Sequence, residues 1–261
     1  MNSALLEKIN STCEGGIGYG LPPQEVVSTG LPQLDAVTGG IPRGRIVDIY
    51  GGADTGKTAL ALHLAQHLPG PMLYIDADHG LSPHILNGAD GYLLDVATME
   101  DALDACRIAA GSGAFGSIVI DTVAALPTKE DAQNSLTVGR FWERERQARV
   151  MSKALPMLAG ALCKTGCTLF LVNQIRVKPW ILFANPEYPT GGKAIGYYAA
   201  LRLRVSRYQT IEKSNRVMGL KLKIRVVKCK YGPPGREADV SLLYGEGLTE
   251  SPPPSPRRVR V

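Results

Sequence analysis

An apolar run ending in a glycine-rich octet, followed at once by a helical pattern, leaves few folds open to this chain. In IVDIYGGADTGKTALALHLAQHL, residues 46–50 read as a buried strand and an amphipathic helix starts at Lys57. Between them Gly51, Gly52, Ala53, Asp54, Thr55, Gly56, Lys57 and Thr58 satisfy G-x-x-x-x-G-K-[ST], the phosphate-binding loop pattern. Gly51 and Gly56 allow backbone N–H groups to turn inward around a phosphate chain at angles a side chain would obstruct. The positive end of the helix dipole points at the same place. Lys57 adds a mobile charge for the β- and γ-phosphates, and the Thr58 hydroxyl suits Mg²⁺. A chance glycine turn would lack the strand before and the helix after.

The rest of the chain extends this pattern. Strand signals at 71–76, 91–96, 117–121 and 168–173 alternate with helical ones at 99–110 and 143–164, the latter containing Pro156. This βα spacing predicts an α/β fold, a mostly parallel central sheet with helices on both faces. Three later segments, 199–209, 220–230 and 238–245, alternate with period two and predict antiparallel strands added at the C-terminal end. Before the octet, residues 2–12 suit a short helix, 15–23 a breaker-rich linker, and Ser28 or Thr29 a helix cap. Asp121 closes the apolar run SIVID, where a carboxylate would lie beside the phosphate loop and support Mg²⁺ through water. An ordinary strand-end aspartate capping the next turn is the alternative.

Composition bounds the partners. The 261 residues carry a net charge of +5, from 29 basic and 24 acidic side chains, which permits a polyanion without demanding one. Five scattered cysteines (Cys13, Cys106, Cys163, Cys167, Cys229) suit a reducing compartment and argue against a disulfide framework. Cys163 and Cys167 have neither a second pair nor a nearby His, which disfavours zinc. No long apolar run or leader pattern stands out, so a cytoplasmic protein without membrane partners is expected. Two long segments, 127–141 and 176–193, read as loops. In or beside them fall Trp142, Trp180, Phe141, Phe183 and Tyr188 together with Arg140, Arg144, Arg146, Arg176, Lys178 and Lys193. Interleaved rings and cations suit single-stranded nucleic acid. Aromatic core anchors beside a solvated charged face fit the same residues.

From about residue 28 to 248 the motifs resemble the RecA family of recombinases. The resemblance is carried by STGLPQLD, GRIVDIYGGADTGKT, YIDADHGLSP, IVIDTVAAL, LVNQIR, FANPEYPTGGKAIGYYA, VVKCK and LLYGEGL, and it is nearer to bacterial or phage RecA than to archaeal and eukaryotic members. It implies an ATP- and Mg²⁺-dependent helical filament on single-stranded DNA, with ATP at the subunit interface. Such a filament pairs homologous duplex DNA and exchanges strands. It further implies a core over 28–250, an N-terminal helix and oligomerisation strand over 1–27, and a disordered basic tail over 251–261. Asp78 takes the place of the glutamate that activates the attacking water, and Gln174 that of the γ-phosphate sensor. Lys228 and Lys230 match a pair that reaches the neighbouring subunit's ATP, and their i, i+2 spacing suggests one strand face. DNA contacts carry over to Arg149 and Ser152 near the first loop, and to Arg176, Val177, Lys178, Gly191 and Gly192 in the second, with Trp180 as a candidate stacking residue.

The departures shape expectations too. Asp78 is one methylene shorter than glutamate, setting its carboxylate about 1 Å back, and misplacement of that size costs on the order of 10²-fold in rate. Ile85 replaces the tyrosine expected on adenine and Ser82 its neighbouring aspartate, which relaxes adenine selection. The first DNA loop is longer and lacks its usual glycines, and Pro156 replaces a basic residue. Pro179, beside Trp180, stands where an apolar wedge is expected. Tyr197 matches an interface aromatic. The sequence stops soon after LLYGEGL, where the family has a further domain that moderates duplex uptake. The expected activity is a compact DNA-dependent ATPase of the recombinase type, or alternatively a weak ATPase that binds DNA and assists another recombinase.

Overall fold

Strands separated by helices cannot pair through tight turns, and each crossover returns them parallel. The computed structural model, which describes residues 11, 24–81, 90–133, 143–177, 187–189 and 192–250, follows this rule. Two short strands, β1 (Val26–Val27) and β2 (Ile41–Pro42), pair antiparallel on either side of α1 (Pro32–Thr38). There follow β3 (Ile46–Gly51), α2 (Lys57–Gln66), β4 (Met72–Asp76), β5 (Gly91–Leu94), α3 (Met99–Ser112), β6 (Ser117–Asp121), α4 (Lys129–Gln133), α5 (Glu143–Thr165) and β7 (Thr168–Val177). After β8 (Glu187–Pro189) and α6 (Lys193–Tyr198), the chain ends in β9 (Leu201–Lys213), β10 (Arg216–Cys229), β11 (Glu237–Leu243) and β12 (Gly247–Glu250). The order across the main sheet is β12-β11-β10-β9-β3-β7-β6-β4-β5. From β9 to β5 neighbouring strands run parallel, and β10, β11 and β12 add an antiparallel meander beyond β9.

All positions of β3, β4 and β6 are buried, as strands covered on both faces must be. One face packs Val47, Ile49, Leu203, Leu222 and Val240 against α2 and α1. The other packs Ile46, Ile75, Ile118, Ile120 and Leu169 against α3, α5 and α6. Helix α2 buries Leu60, Ala61, Leu62, Leu64 and Ala65. Its apolar surface is therefore wider than the single stripe of an amphipathic helix, because α2 also touches β12. Among the described residues no helix is long and apolar enough to cross a membrane.

Local chemistry sets the boundaries. Thr98 caps α3 by accepting a hydrogen bond from the Asp101 amide, and Gly113 ends it in the left-handed region at φ 69°. Neither Ser28 nor Thr29 is the N-cap of α1, which starts at Pro32 after Leu31. Instead Ser28 Oγ and the Thr29 amide donate to Asp35, so the side chain of the helix reaches back to the loop. The segment 127–141 contains α4, and α5 continues as one helix through Pro156. Strand β7 runs further than expected, because β8 returns from the second loop and pairs with it, Ile175 with Pro189 and Val177 with Glu187. The expected N-terminal helix over 2–12, the linker and the tail over 251–261 lie outside the described residues, apart from Ser11.

Candidate functional site

The octet joins β3 to α2, so strand and helix fix its two ends. Gly56 adopts φ 77° and ψ 22°, and Asp54 is left-handed at φ 52°. A Cβ on Gly56 would lie 2.8 Å from Leu222 Cδ1. At Gly51 the need for glycine has a different source from the one expected: an added Cβ would lie 2.2 Å from the Val205 carbonyl oxygen. The neighbouring strand β9 excludes a side chain there. Lys57 is only 9% exposed, and its Nζ donates to the Gly52 carbonyl at 2.6 Å. Burial lowers its pKa from the usual ammonium range, while the carboxylates of Asp121, Asp54 and Asp78 pull the other way.

Asp121, at the end of β6, is 3% exposed. Its Oδ2 accepts hydrogen bonds from Thr58 Oγ at 2.5 Å and from the Tyr74 hydroxyl at 2.9 Å. Its Oδ1 is buried with no hydrogen-bond partner among the described residues. Burial raises the carboxyl's pKa; the two donated hydrogen bonds oppose this, Asp78 adds to it and Lys57 opposes it. An unmatched buried carboxylate oxygen beside a threonine hydroxyl is a costly arrangement unless a cation or its water completes it. The residues present therefore fit Mg²⁺, with Thr58 and Asp121 as the expected partners. Asp76, the last residue of β4, and Asp78, two residues beyond it, divide in role. Asp76 is buried and accepts from the amides of Gly80 and Leu81, which holds the turn. Asp78 is exposed, accepts from the Gly80 amide at 3.1 Å, and is near enough for its charge to act on Lys57 and Asp121.

Gln174 lies in parallel register with Gly51, one strand away. Arg176 and Val177 continue the same strand. On α5, Arg149 and Ser152 are both exposed, and Ser152 Oγ bonds back to the Ala148 carbonyl. Gly192 precedes α6 at φ 81°, and a Cβ there would lie 2.7 Å from Ala148 Cβ. The end of the second loop is thus packed against the helix that carries Arg149. Lys178, Pro179, Trp180, Phe183 and Gly191 lie outside the described residues, as do Ser82, Ile85, Arg140, Phe141 and Trp142.

Lys228 and Lys230 sit far from this loop. Lys228 pairs with Arg202, which is in register with Asp48, so Gly51 lies three residues further along β3. That is about 10 Å along the strand, with two inter-strand steps across it. Lys228 Nζ donates to the carbonyls of Gly196 and Tyr197 in α6 at 2.7 and 2.9 Å. Helix α6 covers the sheet face opposite α2. Burial, then Lys230 and Arg202, lower the Lys228 pKa. The expectation of one shared strand face is corrected in part: a register shift falls between Val226 and Lys228, and β10 ends at Cys229, leaving Lys230 exposed just beyond it. Tyr197 is 72% exposed on α6.

Two groups escaped the sequence reading. Tyr74 looks like one more apolar strand residue, and only its hydroxyl could have hinted at a polar partner. Asp48 was the stronger signal, a lone carboxylate inside a buried run, which demands partners. It finds them in Asn173 Nδ2 at 2.6 Å and Arg202 Nε at 2.8 Å.

Comparisons with known proteins bear on the family and the fold. The family model for the RecA N-terminal domain matches residues 22–249. Protein RecA of Bifidobacterium breve is 41% identical over 235 residues, which cover 86% of this chain and 59% of that protein. Protein RecA of Kineococcus radiotolerans is 40% identical over 238 residues, covering 87% of this chain and 68% of the relative. The chain thus spans about three fifths of the length of the first of these. Among solved structures, the crystal structure of the RadB recombinase matches with a TM-score of 0.64 at 18% identity, covering 87% of this chain and 100% of that one, which shows a shared fold.

Proposed function

Because the chain belongs to the RecA family, we propose that it is an ATP-dependent recombinase that forms a helical filament on single-stranded DNA and promotes homologous pairing and strand exchange with duplex DNA. Strand β7 carries the proposal. It holds Gln174 in register with Gly51 and runs directly on to Arg176 and Val177. A sensor at the phosphate end of a strand and DNA contacts two residues further along need no separate linkage. Lys57 binds the β- and γ-phosphates, and Asp78 orients the attacking water. Bound Mg²⁺, held by Thr58 and through water by Asp121, would neutralise phosphate charge. Lys228 and Lys230 act on the ATP of the neighbouring subunit, a role supported by their distance from their own phosphate loop.

On the DNA side, Arg149, Ser152, Arg176, Lys178 and Gly192 contact the strand and Trp180 stacks on a base. The contact of Gly192 with Ala148 supports a joint surface from both loops. The two RecA relatives are bacterial, and in bacteria DNA lies in the cytoplasm, which supports a cytoplasmic site of action. Joint-molecule formation between single-stranded and homologous duplex DNA, with ATP present, tests the proposal. Joint molecules that vanish in Lys57→Ala are the expected result. ATP turnover indifferent to single-stranded DNA, with no joint molecules, would overturn it. Asp78 favours one second reading, a slow ATPase that assists another recombinase, because its short carboxylate is already engaged by Gly80. Strand exchange that appears only when a second recombinase is added would select that reading.

A further inference from the structure

Tyr74 lies in the middle of β4 and is 1% exposed, yet its polar end is aimed at the nucleotide site. Its hydroxyl donates to Asp121 Oδ2, the oxygen that Thr58 also addresses, while Asp121 Oδ1 has no hydrogen-bond partner among the described residues. A carboxylate has two equivalent oxygens, and half a turn about its last side-chain bond exchanges them. Two donors on one oxygen and none on the other remove that equivalence. Thr58 alone is a poor anchor, since its hydroxyl is itself a candidate cation ligand. Tyr74 is anchored in a core strand and packed among Leu60, Leu64 and Val119 in the same cluster.

We propose that Tyr74 is a positioning residue of the nucleotide site: its hydroxyl locks Asp121 so that Oδ1 stays free for the coordination sphere of the nucleotide-bound Mg²⁺. The inference rests on the nucleotide site proposed above. Outer-shell partners of this kind orient metal ligands without touching the metal.

The test is equilibrium binding of a fluorescent ADP analogue to the full chain, in EDTA and across a MgCl₂ titration, comparing wild type with Tyr74→Phe. The variant keeps the ring and deletes only the hydroxyl. Affinity in EDTA should stay at the wild-type value, which also reports an intact phosphate loop. The MgCl₂ concentration for half-maximal enhancement should rise by roughly tenfold, the low end of what outer-shell partners are worth. An unchanged Mg²⁺ midpoint overturns the proposal. So does an affinity loss of equal size in EDTA and in Mg²⁺, which marks Tyr74 as a packing residue. Wild type that binds the analogue with no Mg²⁺ enhancement also overturns the proposal, whereas wild type that fails to bind it in EDTA and in Mg²⁺ would instead remove the nucleotide-site reading itself.

Discussion

Gly51 and Asp78 bracket the nucleotide site with opposite tolerances. Gly51 is held against the Val205 carbonyl, so Gly51→Ala must push β3 from β9. We expect a loss of about 1–3 kcal/mol in urea unfolding, the usual cost of overpacking, together with weaker nucleotide binding. Gly52→Ala, whose Cβ would meet only Thr55 Cγ2 at 3.7 Å, should change neither. Asp78 lies at an exposed turn, where one more methylene has room. Asp78→Glu should therefore speed DNA-stimulated ATP hydrolysis by roughly 10- to 100-fold, the reverse of a 1 Å misplacement. Single-turnover measurements with radiolabelled ATP read this directly, and an equal or slower variant would clear Asp78 as the slow point.

At the scale of elements, Asp48 ties three strands together. It lies on β3, Asn173 on β7 and Arg202 on β9, and the Arg202 guanidinium also sits 5.1 Å from the Tyr50 ring centre. Burial raises the Asp48 pKa, while Arg202 and Asn173 oppose that rise. Such a cluster need not stabilise the fold relative to an apolar one, but breaking it strands its partners. Asp48→Ala should cost about 3–5 kcal/mol in chemical unfolding. Asn173 directly precedes Gln174, so the same variant should also blunt the dependence of DNA affinity on ATP, measured by fluorescence anisotropy. A variant with wild-type stability would mean that Arg202 finds another partner at no cost.

For the whole molecule, the proposed role of Lys228 and Lys230 depends on how copies assemble. Lys228 is turned toward α6, on the sheet face opposite α2, so a single copy does not join it to its own phosphate loop. Complementation tests this. Lys57→Ala alone and the double variant Lys228→Ala/Lys230→Ala alone should both be inactive. Mixed in equal amounts they should regain about a quarter of wild-type ATP turnover, since a head-to-tail assembly then brings together one intact loop and one intact lysine pair at that fraction of interfaces. No recovery would move the lysines out of the active site or into their own subunit's.

Much of this is legible in the sequence alone. The octet between strand and helix, the alternation of βα units and the Asp121 strand end follow from short-range rules: hydrophobic period, glycine turns, and a carboxylate at a strand end. The run of family motifs identified the family. What stayed hidden depends on neighbours far apart in the chain. The reason Gly51 is glycine lies in β9, and the extension of β7 past Gln174 depends on β8 pairing back. The α1 cap moved because Asp35 reaches back over Ser28 and Thr29. The partners of Asp48 and Tyr74 come from strands more than forty residues away. By itself the sequence determined that a phosphate-binding octet joins a strand to a helix, because that motif is built from contiguous residues. Tertiary structure alone decided which Asp121 oxygen stays open and which sheet face carries Lys228, because both depend on side chains meeting across strands.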